Sequence, residues 1–145
     1  MKANELMVGD WVEYRFTGWT EKDGVYEDYQ YVQISTIGEL YVKADNDRVA
    51  SADGKEFFPI PLTPEILEKN GFVENRGATS WKFETEREDL IDIYGYNEYH
   101  LSINIEDTHG SGKGYRWMLN NLVIFYVHQL QHAFRLCGID KEIEL

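Results

Sequence analysis

The sequence has a single cysteine, Cys137, in 145 residues. No internal disulfide can form, and a reducing compartment is the expected setting. Proline is scarce, with three residues, and no repeat or low-complexity tract interrupts the chain. Long apolar runs are missing as well. The longest, LVIFYV at 122–127, is far too short to span a bilayer, and the opening MKANELMVGDWVEY has no signal-peptide core. A soluble cytoplasmic protein without membrane contact is therefore expected. Basic residues are few: 14 Lys and Arg against 26 Asp and Glu leave a net charge of −12. The nearest thing to a basic cluster is Lys113 and Arg116 beside a glycine loop. Phosphate backbones repel such a chain, so no nucleic-acid partner is expected. The acid surplus suits a basic protein partner instead.

Apolar residues are plentiful, at 43%, with ten Tyr, seven Phe and four Trp. That content supports folding as one ordinary domain or two small lobes. The first half reads as strands: MVGDWVEYRF, then YQYVQISTI at 29–37, ELYVKA across Gly38, and EFFPIPL ended by Pro59 and Pro61. Residues 17–28 read as a long polar loop holding Trp19 and Tyr26. LTPEILEKNGF is a short helix, with Thr63 as N-cap, Pro64 at the first helical position and Asn70-Gly71 as the stop. GFVEN, TSWKFE, LIDIYGY, EYHLSINIE and YRWML return to strands. In EYHLSINIE, alternation predicts Tyr99, Leu101, Ile103 and Ile105 on a buried face and His100, Ser102, Asn104 and Glu106 on a wet one. A last helix is predicted from about Asn121 to Cys137. The expected fold is α+β. A small bent sheet or SH3-like barrel at 1–61 leads through the short helix to a lobe at 62–145, where a second antiparallel sheet is covered by the C-terminal helix.

His128 and His132 stand four apart in YVHQLQHAFRLCGI, the ligand spacing of H-E-x-x-H zinc helices. At about 100° per residue, Val123, Tyr126, Val127, Leu130, Ala133, Phe134 and Cys137 form the core stripe, leaving His128, Gln131, His132 and Arg135 outside. Gln129 stands where the general base would be, Arg135 opposes a cation, and no third ligand follows at a recognised spacing. No metal and no cofactor is therefore expected. The four polar residues, flanked by Phe125 and Leu136, read as a contact face for a protein partner or a second copy of the chain.

HGSGKGYR fails both glycine-rich phosphate templates: Asp107 sits where the first P-loop glycine belongs, and a strand rather than a helix follows. The acids of ETEREDLID read as a solvated face, Cys137 as a core residue, and no serine lies in G-x-S-x-G. Trp11, Trp19 and Tyr31, with Tyr26 and Tyr29 nearby, could line a ligand groove or serve as core and rim.

NELMVGDWVEY, PIPLTPEILEKNGF and YVHQLQHAFRLCGI, in that order, cover about a quarter of the chain. The trio resembles a family of small uncharacterised proteins of gut anaerobic bacteria and their prophages, with the pattern E-L-x-x-G-N-W-V, P-I-P-L-T-x-E-x-L-x-x-x-G-F and Y-V-H-Q-L-Q. Asp10 and His132 each depart from an Asn of that pattern. The resemblance implies an intracellular, mobile-element setting and carries over no catalytic residue. The function expected is thus a non-enzymatic accessory or protein-interaction protein of phage or mobile-element origin. The competing readings are a metal-dependent hydrolase or metal binder using His128 and His132 with His100, His109 or Asp107, an acidic DNA mimic that blocks a nucleic-acid enzyme, and a small-ligand binder using the N-terminal aromatics.

Overall fold

The computed structural model describes residues 1, 3–51, 55–75, 79–95, 98–107 and 114–145. The chain is α+β and divides into two compact units, Met1–Ile60 and Pro61–Leu145. Among the described residues no helix is long and apolar enough to cross a membrane.

The N-terminal unit opens with a 3-10 turn, Ala3–Glu5, followed by β1 (Trp11–Thr20), β2 (Gly24–Ile37), β3 (Tyr41–Ala44), β4 (Val49–Ser51) and β5 (Phe57–Phe58). They form one antiparallel sheet in the order β4-β3-β2-β1-β5. Among the described residues its two edge strands are not paired to each other. The turn into β1 needs Gly9, at φ 86°, and Asp10, whose buried carboxylate accepts the Met7 N–H at 2.7 Å. Leu6, Val12, Val32, Ile34, Val42, Ala44, Ala50 and Phe57 close into the core. That core reaches only the inner ends of β1 and β2.

Residues 17–28 are therefore not a loop. They belong to one long hairpin in which Trp11–Thr20 pairs with Gly24–Gln33, residue for residue. The turn is Glu21-Lys22-Asp23, closed by Gly24: Gly24, paired with Thr20, sits at φ 70°, and the Asp23 N–H donates to Thr20 Oγ1 at 3.0 Å. The EFFPIPL strand shrinks to Phe57–Phe58 because Pro59 has no N–H to continue the ladder.

The C-terminal unit begins with α1 (Pro64–Lys69), which is built as its local signals dictate. The Ile66 N–H donates to Thr63 Oγ1 at 3.4 Å, Pro64 occupies the first turn, and Gly71, at φ 79°, lets the Phe72 N–H return to the Leu67 carbonyl at 3.0 Å. Then come β6 (Val73–Asn75), β7 (Ser80–Glu84), β8 (Leu90–Tyr94), β9 (Tyr99–Asp107), β10 (Gly114–Ile124) and α2 (Val127–Leu136). The sheet is an antiparallel meander, β10-β9-β8-β7-β6. Trp81, Ile91, Ile93, Leu101 and Ile103 share its buried face. Phe83 on that face meets Phe72, which stacks on Phe134 of α2, so α2 covers this side.

Three expectations change here. The last helix starts at Val127, not near Asn121, because β10 runs on to Ile124. Asn121 adopts φ 57° within a bulged stretch of β10, and Gln129 sets the helix start by accepting the N–H groups of Phe125 (2.7 Å) and Tyr126 (3.1 Å). Val123 consequently lies on a strand. The polar face of β9 is not wet along its length: Ser102 and Asn104 are buried, on a strand flanked by β8 and β10. In the acidic run, Asp89 is buried rather than solvated. Its carboxylate accepts from Thr85 Oγ1 (3.1 Å), Arg87 Nη2 (3.0 Å) and the Glu106 N–H (3.3 Å), fastening the β7–β8 turn to β9.

Candidate functional site

The C-terminal helix carries the first candidate. Its covered arc holds Val127, Leu130, Ala133, Phe134 and Cys137, but also His128 and Gln131. On a helical wheel the covered arc takes in well over half the circumference, so positions beside the aliphatic stripe are buried with it. This corrects the orientation expected for His128, which is 7% exposed, and for Gln131. His132 is half-buried, and Arg135 and Leu136 are exposed. The His128 ring stacks on Tyr126 at 5.7 Å and meets His132 edge-on at 5.6 Å. The four residues thus do not form one open face. Among the described residues no group of three His, Cys, Asp or Glu side chains is placed to hold a metal ion. His100 lies in β9 with its ring against Tyr94, on the sheet face opposite α2. His109, Lys113 and the Asp107 side chain lie outside the described residues. Gln129 is committed to the helix start, which accounts for an amide where a zinc protease carries its base.

Cys137 is buried, and desolvation, followed by the nearby Asp89, pushes its thiol up from the usual range. A thiol held protonated is a poor nucleophile.

The β1–β2 hairpin is the more open feature. β1 pairs with β5 only at Glu13 and Tyr14, and β2 meets β3 only from Ile34 onward. Two further backbone bonds hold the root, from the Arg15 N–H to the Glu56 carbonyl at 3.1 Å and from the Asp45 N–H to the Gln33 carbonyl at 2.9 Å. From there to the turn, among the described residues, the two strands pair only with each other and form a projecting arm. On one face of the arm Glu13, Arg15, Thr17 and Trp19 oppose Tyr31, Tyr29, Glu27 and Val25. Trp19 is 68% exposed, Val25 71% and Tyr29 55%. On the other face Gly18 opposes Tyr26, whose ring lies so close that a Cβ on Gly18 would sit 2.3 Å from it. This aromatic cover over a strand glycine stiffens a ribbon that has no sheet beside it.

At the root of the arm a cleft of about 650 Å³ is lined by Arg15, Glu27, Tyr29, Tyr31 and Phe58, among others. The Arg15 guanidinium pairs with Glu13 and lies 4.0 Å over the Phe58 ring. Tyr29 and Tyr31 meet at 5.6 Å. Desolvation, then Tyr29, then Glu13 raise the Tyr31 hydroxyl above its ordinary value, so it is a donor at neutral pH.

Of the expected groove, Trp11 is half-buried and diagonal to Tyr31 through the Glu13–Tyr31 pair. Trp19 lies eight residues farther along β1, about 27 Å away. The three do not line one pocket. Tyr29, named beside them, belongs to the same surface, as do Phe58 and Val25, which the sequence reading did not single out. The Asp23-Gly24 dipeptide between Thr20 and Val25 was the signal for it.

No protein-family model, curated protein or solved structure matches the chain.

Proposed function

We propose that the chain is a non-enzymatic, cytoplasmic interaction protein that grips a protein partner with its β1–β2 arm. One observation carries the reading: the arm presents Trp19, Val25, Tyr29 and Tyr31 outward on a single face of a ribbon with no neighbouring strand. Exposed apolar rows lower their free energy by leaving water, and a two-stranded ribbon gains most from a surface that covers it. Trp and Tyr are also the residues that carry binding energy at protein interfaces.

The charge of the arm sets the partner's chemistry. Residues 13–31 hold Glu13, Glu21, Asp23, Glu27 and Asp28 against Arg15 and Lys22, a surplus of three acids. The matching surface is an apolar groove rimmed by Lys and Arg. From Phe16 to Tyr29 neither edge of the arm pairs with another strand among the described residues, so it can also extend a partner's sheet.

The test places a photo-crosslinking residue at Trp19 of the full chain, expressed in its own host. A discrete protein adduct is expected, weakened by Tyr29→Ser with Tyr31→Ser and by added salt. The same adduct formed as strongly from Val73, exposed in the other unit, would refute the arm as the grip.

A further inference from the structure

The sheet face opposite α2 is not used by this reading. We infer that it is a binding groove for a neutral oligosaccharide. The groove, open to solvent and of about 910 Å³, runs across the sheet from Trp117 and Asn120 on β10 past Ser102 on β9 to Tyr94 and Asp92 on β8 and Lys82 on β7. It lies wholly within the C-terminal unit, so it stands independently of the arm.

Three observations carry the assignment. The first is an aromatic platform: Trp117 is 58% exposed and Tyr94 42%. A pyranose ring has one face of C–H groups that packs against such a ring, while its hydroxyls stay outward to hydrogen-bond. The second is charge. Lys82 and Asp92, directly opposite each other on β7 and β8, lie 3.4 Å apart and cancel. Among the described residues, the rest of the lining adds amides and hydroxyls, including Asn75 and Ser80, and no further ion. A lining whose charges cancel in this way favours a neutral ligand over an ionic one. Paired Lys and Asp offer donors and acceptors side by side, which is what vicinal hydroxyls require.

The third observation is how β10 is built. Its register against β9 shifts twice, between Trp117 and Leu119 and between Leu119 and Leu122. Asn121, in the left-handed region that Asn tolerates, donates its N–H to Ser102 Oγ at 3.1 Å, and its Oδ1 accepts the Tyr94 hydroxyl. The His100 ring stacks on Tyr94 at 5.1 Å. Bulges re-aim side chains. Here the bulged stretch leaves Trp117 outward while Asn121 and His100 hold the Tyr94 ring in place. The Cα atoms of Tyr94 and Trp117 lie about 17 Å apart by strand geometry, the span of a short oligosaccharide rather than a single sugar.

The test titrates the full chain with four neutral tetrasaccharides, those of β-1,4-glucose, α-1,4-glucose, β-1,4-xylose and β-1,4-N-acetylglucosamine, by calorimetry and by the Trp117 indole N–H resonance. Saturable binding to at least one is expected, unchanged by added salt. Trp117→Ala should weaken it at least about tenfold and Trp117→Phe less, with unchanged circular dichroism, while Trp19→Ala leaves it intact. Three results would overturn the assignment. They are no saturable binding to any of the four, wild-type affinity in Trp117→Ala, or tighter binding of polygalacturonate or chitosan tetramers than of every neutral one.

Discussion

Among the described residues the molecule has two antiparallel sheets of five strands each, and they treat their long strands in opposite ways. In the C-terminal sheet β9 is hemmed by a neighbour on each side and buries residues on both faces, Leu101 and Ile103 on one, Ser102 and Asn104 on the other. In the N-terminal sheet β1 and β2 bury only Val12, Val32 and Ile34 before running out of the sheet as a free ribbon. Strand length is thus no guide to stability here. What matters is whether neighbours exist to take up the side chains and the ladder hydrogen bonds.

The sharpest way to break the comparison is a pair of tryptophan truncations. Trp81→Ala, in the buried face of β7, should cost about 3–5 kcal/mol in urea unfolding, and Trp19→Ala on the arm less than about 0.5 kcal/mol. Similar losses would mean that the arm is packed. Next in size is Asp89→Ala, which leaves the Glu106 N–H without its acceptor and frees the β7–β8 turn, costing about 2–3 kcal/mol in the same assay. Hydrogen exchange sharpens the contrast without mutation: amides of residues 16–20 and 25–31 should exchange well before those of 91–93 and 101–103. A chemical probe follows. Because burial and then Asp89 raise the Cys137 thiol, iodoacetamide at about pH 8 should modify the native chain slowly and the urea-unfolded chain quickly.

The smallest effect concerns α1. The Glu65 carboxyl is held below its ordinary range, first by the backbone and then by the Thr63 side chain. A lowered folded value means its contribution is complete above about pH 4.5 and drains away as pH falls through that lowered value. Comparing urea midpoints at about pH 6 and about pH 3, Glu65→Gln should lose less than the wild type does.

Legibility in the sequence followed the range of the interactions involved. Thr63, Pro64, Asn70 and Gly71 act within one or two turns, and α1 could be read directly from them. The arm escaped because both of its faces are wet over much of its length, so polar and apolar residues do not alternate cleanly and Asp23-Gly24 hides among Glu21, Lys22 and Glu27. The last helix is expected from about Asn121, but the backbone of Asn121 is left-handed inside a strand, where it bonds to Ser102 and Tyr94. A helical wheel places His128 from the aliphatic residues alone and cannot register how widely a helix is covered. The sugar groove draws on five strands, and no sequence window contains both Lys82 and Trp117.

Because the hairpin tip, residues 17–28, pairs within itself among the described residues, it can be exchanged as a cassette. New tips of equal length can be grafted between Phe16 and Tyr29 with the rest of the chain untouched.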